Sequence, residues 1–333
     1  MAKTAFIFPG QGSQAVGMGK DLFDNFAPAR EVFAQADEAL GFALSEMCFS
    51  GSEEDLAMTA NTQPAILTTS IAAFRAMEAE GFAKPDFVAG HSLGEYSALV
   101  AAGVVDFADA VRTVRKRGTY MQEAVPVGVG AMAAILGADL VTIEQACADA
   151  AEGKVCSPAN INSPSQVVIA GDADAVDRAC ELLKERGAKR AVKLNVSAPF
   201  HCALMMPAQE RLGIELEGLQ YSNFAFPIVH NVDAEVNSDE TRVRDALTRQ
   251  VSSPVRWLQS VERLVAEGVD AVVEVGAGKV LSGLVRQINR DVRCSKGNVV
   301  RRAACPLRKA SPPGTPRSAR SPRWLCPVRI PRR

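Results

Sequence analysis

No stretch of this chain stays apolar for the roughly 18 to 20 residues that a membrane-spanning helix needs. The first strand-like run, Thr4 to Phe8, starts too early to follow a signal peptide, so a cytoplasmic protein with no membrane partner is expected. A Cys-x-x-Cys pair is also missing. The eight cysteines (48, 147, 156, 180, 202, 294, 305 and 326) are scattered, with no histidines nearby in ligand spacing. That pattern argues against a disulfide scaffold and against a metal site. Cys202 follows a histidine, but nothing marks it as reactive, and it reads as a small buried hydrophobe.

One end lacks acidic residues. From Val292 onward there are 12 Lys or Arg, no Asp or Glu, and seven prolines in 42 residues, whereas residues 1–291 hold 25 basic against 38 acidic groups, a net of -13. Such a segment, 292–333, is expected to be disordered. A basic arm is one reading of it and an aberrant, out-of-frame end is another, so it is set aside from the fold and no nucleic-acid partner is expected. The whole chain of 333 residues, 47% hydrophobic and 23% charged, is enough for one large domain carrying a smaller one.

Within the remainder, Thr4 to Phe8 closes on Pro9-Gly10 and reads as a buried strand, with a long helical stretch after it up to about Leu40. The segments Asp86 to Gly90 and Ala271 to Gly276 repeat the order strand, glycine, helix. Strands alternating with helices predict an α/β fold, a mostly parallel sheet covered on both faces. Between 126 and 195 the rhythm changes. Strands at Ala131 to Leu136, Val155 to Asn160, Gln166 to Ala170 and Ala191 to Val196, with helices at Val141 to Ala151 and Ala175 to Arg186, give the order βαββαβ of a ferredoxin-like unit. The expected organisation is therefore a discontinuous core of residues 1–125 and 196–291, with 126–195 inserted as a small domain.

Gly90-His91-Ser92-Leu93-Gly94 fits the G-x-S-x-G elbow, with an apolar strand before it and a helical run after it. A sharp strand-to-helix turn lifts the serine hydroxyl above the sheet, and the following helix aims its first N–H groups at developing negative charge. Gly10-Gln11-Gly12-Ser13-Gln14-Ala15 formally matches a dinucleotide fingerprint, but Asp21 to Leu40 stays helical where a second strand should end in an acid. The better use of that loop is as the second oxyanion donor: the N–H of Leu93 follows the nucleophile and that of Gln11 comes from the loop.

A serine needs a base, and only His91, His201 and His230 exist. His91 adjoins the serine and should point away from it. His230 falls in a strand-like run from Phe226, and His201 opens a helix after the small domain. Arg117 lies on the edge of the buried stripe marked by Phe107, Ala110, Val111, Val114, Gly118 and Met121, where an arginine needs an anionic partner. That partner is either a protein carboxylate or a ligand.

The blocks Gly10 to Gln14 with Gly17-Met18, Gly90 to Tyr96, Ser197 to His201, Gln250-Val251 with Ser253 to Trp257, and Glu274 to Gly278 resemble, in order, those of malonyl-CoA:acyl carrier protein transacylases. The resemblance covers about residues 4 to 290. It implies an α/β-hydrolase-like core, a ping-pong transfer of malonyl through Ser92, and His201 as base oriented by the carbonyl of Gln250. Arg117 becomes the clamp for the free malonyl carboxylate. It further implies malonyl-CoA and acyl carrier protein as partners, with no metal or other cofactor, and a monomer is expected. Lys184, Arg186, Lys189 and Arg190 are candidates for docking an acidic carrier. A serine esterase or thioesterase, or a non-catalytic acyl-binding protein, would share parts of this pattern. Ala277 departs from it where the family often has proline, which predicts a modest effect on stability.

Overall fold

The computed structural model describes residues 3–196 and 198–297. Its strands, in chain order, are β1 (Lys3–Phe8), β2 (Phe87–Gly90), β3 (Gly130–Leu136), β4 (Cys156–Ser163), β5 (Gln166–Asp172), β6 (Arg190–Lys193), β7 (Ile228–Val229), β8 (Val236–Asn237), β9 (Val269–Glu274) and β10 (Arg293–Lys296). Six of them form one sheet in the order β10-β9-β1-β2-β7-β8, parallel throughout except for the β7–β8 pair. The fold is thus mixed α/β around a largely parallel sheet, and among the described residues no helix is long and apolar enough to cross a membrane.

Side chains alternate across a strand, and β1 shows both consequences. Phe6 and Phe8 enter the larger core, under helix Thr59–Ala79, while Ala5 and Ile7 enter a second core containing Trp257, Val261 and Leu284 on the opposite face. Burial on both faces explains why β1 reads as a continuous apolar run. Helix Thr59–Ala79 is buried along almost its whole length although it carries Thr, Asn and Gln. It packs against helix Phe107–Glu123, and Gly118 makes that possible: a Cβ there would stand 2.6 Å from the carbonyl oxygen of Thr59. The close approach brings Arg117 within reach of Gln63.

The second sheet has the order β4-β5-β3-β6 and is wholly antiparallel, with helices Leu140–Ala151 and Ala173–Glu185 over a core of its own. Asn160 bridges to Val255, which ties β4 to the large sheet's side of the molecule.

Two expectations need correction. The long helical stretch is broken at Phe26, whose extended backbone separates Lys20–Asn25 from Ala27–Leu40; Pro28, in the first turn of the second helix, suits a helix start rather than an interior. The large sheet also runs beyond residue 291, because β10 pairs with β9 from Arg293 to Lys296. Its exposed Arg293 and Lys296 are what a sheet edge tolerates, so a basic composition concealed an edge strand. The rest of the segment expected to be disordered, 298–333, lies outside the described residues.

Candidate active site

Ser92 occupies the turn between β2 and helix Gly94–Ala101, with φ of 50°. A non-glycine residue in that region carries strain of about 1–3 kcal/mol and persists only where its surroundings hold it. Here the holding groups are visible. The Ser92 N–H donates to Asn231 Oδ1 at 2.7 Å, Asn231 Nδ2 donates to the Gly90 carbonyl at 2.7 Å, and Gln250 Nε2 donates to the Ser92 carbonyl at 3.0 Å. Gly94 lets the turn close on β1, since a Cβ there would lie 2.0 Å from the Phe8 carbonyl oxygen.

The Ser92 hydroxyl stands 2.7 Å from His201 Nε2, and His201 Nδ1 donates to the Gln250 carbonyl oxygen at 2.9 Å. The second bond fixes the tautomer: with Nδ1 as donor, Nε2 is free to accept the serine proton. His201 does not open a helix as the sequence suggests. It has φ of 59°, Cys202 after it is extended, and the helix proper starts at Met206. The left-handed turn swings the ring back towards Ser92. His201 is buried, and that burial, seconded by the charge of Arg117, lowers its pKa to about 3.

Arg117 is 1% exposed, deeper than a stripe-edge position suggests. Among the described residues it meets no carboxylate. Nη1 donates to Gln63 Oε1 at 2.9 Å, and Nη2 donates to Gln250 Oε1 at 2.9 Å and to Ser92 Oγ at 3.1 Å. The protein-carboxylate partner is therefore absent from its contacts, while neutral oxygens orient a guanidinium whose pKa burial pushes down.

Gln11, Leu93, Ser92, Arg117 and His201 all line one cavity of ≈ 380 Å³. The N–H groups of Gln11 and Leu93 make no hydrogen bond among the described residues, and Leu93 directly precedes the helix N-terminus. Neither of the other two histidines bonds the Ser92 hydroxyl, although His91 also lines this cavity. His91 bonds Asn162 Oδ1 through Nε2 at 2.8 Å and packs on Trp257, and burial lowers its pKa. His230, just after β7, bonds Glu95.

Gln63, Asn231, Glu95 and Asn162 were not singled out from the sequence. Asn160 and Asn162 had a signal, as two polar residues at strand spacing with Asn160 in the cavity wall. Glu95 sits in one of the resembling blocks but had no role to mark it.

The model of the acyl transferase domain family matches residues 5–306. The malonyl CoA-acyl carrier protein transacylase of Escherichia coli strain K12 is 52% identical over 288 residues, 86% of this chain and 93% of its own length. The crystal structure of an acyl carrier protein S-malonyltransferase from Vibrio cholerae superposes with a TM-score of 0.87 at 50% identity, covering 89% of this chain and 96% of that one. A malonyl-transacylase solved in complex with a type II PKS acyl-carrier protein has a TM-score of 0.87 at 47% identity, with coverage of 89% and 96%.

Proposed function

The chain belongs to the malonyl CoA-acyl carrier protein transacylases of the acyl transferase family, and we propose that it moves malonyl from CoA to acyl carrier protein by a ping-pong mechanism through Ser92. The observation that carries this reading is the meeting of Ser92 Oγ with both His201 Nε2 and Arg117 Nη2, a nucleophile flanked by a base and a cation that touches no carboxylate among the described residues.

In the first half-reaction His201 Nε2 takes the Ser92 proton as Oγ attacks the thioester carbonyl. The N–H groups of Leu93 and Gln11 hold the resulting oxyanion. As the C–S bond breaks, the imidazolium returns its proton to the CoA sulfur, leaving malonyl-serine. In the second half the phosphopantetheine thiol gives its proton to His201 and attacks the ester; as the C–Oγ bond breaks, the imidazolium returns that proton to Ser92 Oγ and the malonyl thioester of the carrier leaves. The steps balance on protein groups and thiols and call for no metal or redox cofactor. Arg117 holds the free malonyl carboxylate in a bidentate pair that lysine does not match.

Bringing that carboxylate to Arg117 also removes one cause of the low His201 pKa, so substrate binding makes the base stronger where it is needed. Because the folded value lies below the ordinary 6.5, neutral imidazole survives into acid. The rate of serine acylation under kcat/KM conditions is expected to show no acid limb near pH 6.5, and the stability that neutral His201 contributes above pH 6.5 is lost as pH falls towards 3. A limb between pH 6 and 7 would contradict this.

Supplying malonyl-CoA with phosphopantetheinylated carrier protein should place malonyl on the carrier thiol faster than free malonate appears. Hydrolysis without transfer would instead favour the esterase reading.

The antiparallel sheet, with its βαββαβ order, supports reading residues 126–195 as an inserted ferredoxin-like domain and the larger sheet as α/β-hydrolase-like. Of the candidate docking cations, Lys184 and Arg186 are engaged with Glu181 and Asp149, which leaves Lys189 and Arg190, at the start of β6, as the better carrier contacts. Activity as a cytoplasmic monomer fits this reading.

A further inference from the structure

Glu95 lies in the first turn of the helix that follows the nucleophile and is fully buried. Its Oε1 accepts from His230 Nδ1 at 2.6 Å, and its Oε2 accepts from the Asn231 N–H at 3.0 Å and from Gln250 Nε2 at 2.9 Å. All three partners are donors, so a carboxylate satisfies them and a carboxylic acid would leave its own proton without an acceptor. His230 does not cancel the charge. Asn237 Nδ2 donates to the Asp239 carbonyl while its Oδ1 accepts from the Asp239 N–H, which fixes the amide; the same Nδ2 faces His230 Nε2 at 3.0 Å. That nitrogen is therefore an acceptor and the imidazole is neutral.

Burial pushes the pKa of the Arg117 guanidinium down, and the Glu95 carboxylate, one side chain away, works against that. Between the two stands the Gln250 side chain, its Nε2 donating to Glu95 and its Oε1 accepting from Arg117. On the other side Gln63 meets the guanidinium with a second neutral oxygen.

We propose that Glu95 is the charge partner of Arg117, held one amide away so that the guanidinium stays open to an anionic acyl group, and that this separation sets the preference for malonyl. A carboxylate in contact with Arg117 would have to be displaced by malonate. One at a distance balances the buried charge in the empty site and repels the incoming carboxylate only weakly. The inference rests on reading Arg117 as the malonyl clamp. Glu95 acts through Arg117 and Gln250, which makes it a positioning and specificity residue.

The test compares rates of acyl-enzyme formation from malonyl-CoA and acetyl-CoA, followed by intact-protein mass, with thermal midpoints recorded for each variant. Glu95→Gln keeps a carbonyl for the Asn231 and Gln250 donors and removes the charge, at the cost of the bond from His230 Nδ1. It is expected to raise the malonyl-to-acetyl ratio on the order of tenfold, the repulsion of one carboxylate across roughly 10 Å at an effective dielectric of about 20. Gln63→Glu puts a carboxylate in contact with Arg117 and should lower the ratio on the order of 100-fold. Because Gln63 and Glu95 lie on different sides of Arg117, one variant remains informative if the other fails to fold. An unchanged ratio in either folded variant, or an equal fall in both rates for Glu95→Gln, would overturn the proposal. Arg117→Ala separates the two layers: if it keeps the malonyl preference, the clamp reading itself fails, whereas loss of preference in Arg117→Ala with none of the expected changes in the other two leaves the clamp standing and removes Glu95.

Discussion

Ser92→Ala is expected to lower malonyl transfer on the order of 10⁵- to 10⁶-fold, with the fold intact. The hydroxyl is the atom that becomes acylated, and removal of a nucleophile from a serine–histidine pair leaves only binding and oxyanion stabilisation, which supply a residual about 10³- to 10⁴-fold over water. The loss should fall on kcat with little change in KM, because the malonyl carboxylate would still meet Arg117. Stability has a reason to be preserved. The strain at φ of 50° belongs to the backbone and is held by Asn231 and Gln250, neither of which bonds the Ser92 hydroxyl. Replacing His201 should come close to the same loss, since serine and histidine act as a unit and their effects do not add. A wild-type rate in Ser92→Ala, measured by steady-state transfer to carrier protein, would remove the elbow from the mechanism.

Arg117→Ala should lower acylation by malonyl-CoA on the order of 10²- to 10³-fold, as removing one partner of a buried charge pair costs about 2–5 kcal/mol. Acylation by acetyl-CoA should change far less, and the ratio of the two rates is the informative measurement. A second change is expected with it. Arg117 is the second cause of the low His201 pKa, after burial, so without it that value rises towards 6.5 and the acid limb of the rate moves to higher pH. An equal fall for both acyl groups would mean that the guanidinium serves the serine and not the substrate.

How much of this was readable beforehand depended on whether a residue's role is local. The elbow at Ser92 was readable because it needs glycine, serine and glycine at fixed spacing between a strand and a helix. Arg117 was readable as an anomaly, a charge at the edge of an apolar stripe, although its depth was not: Gly118 draws two helices together, and helical periodicity says nothing of how closely helices pack. The four strands at 130–193 showed through their alternation with turns and helices. By contrast β10 has little apolar character, and its place follows from pairing with β9, which no local pattern carries.

The supporting side-chain amides were invisible for a related reason, although Gln250 was named through the resemblance for its backbone carbonyl. Gln63, Asn231 and Gln250 act on Arg117 and Ser92 from 54, 139 and 133 or more residues away in the chain, by single hydrogen bonds that leave no periodic trace. Glu95 looked like an ordinary acid in the first turn of a helix, where the helix dipole favours one. Only the fold shows three donors converging on it. His201 was assigned through resemblance, and its left-handed backbone could not have been anticipated from Pro199-Phe200-His201.

The most direct test is to treat the protein with malonyl-CoA in the absence of carrier protein, quench in acid, and map the adduct by peptide mass spectrometry. A single malonyl ester on Ser92, discharged when carrier protein is added before the quench, is the result that a ping-pong transfer through this elbow predicts. Persistent malonylation at another residue, or transfer to the carrier protein with no adduct on Ser92, would contradict it.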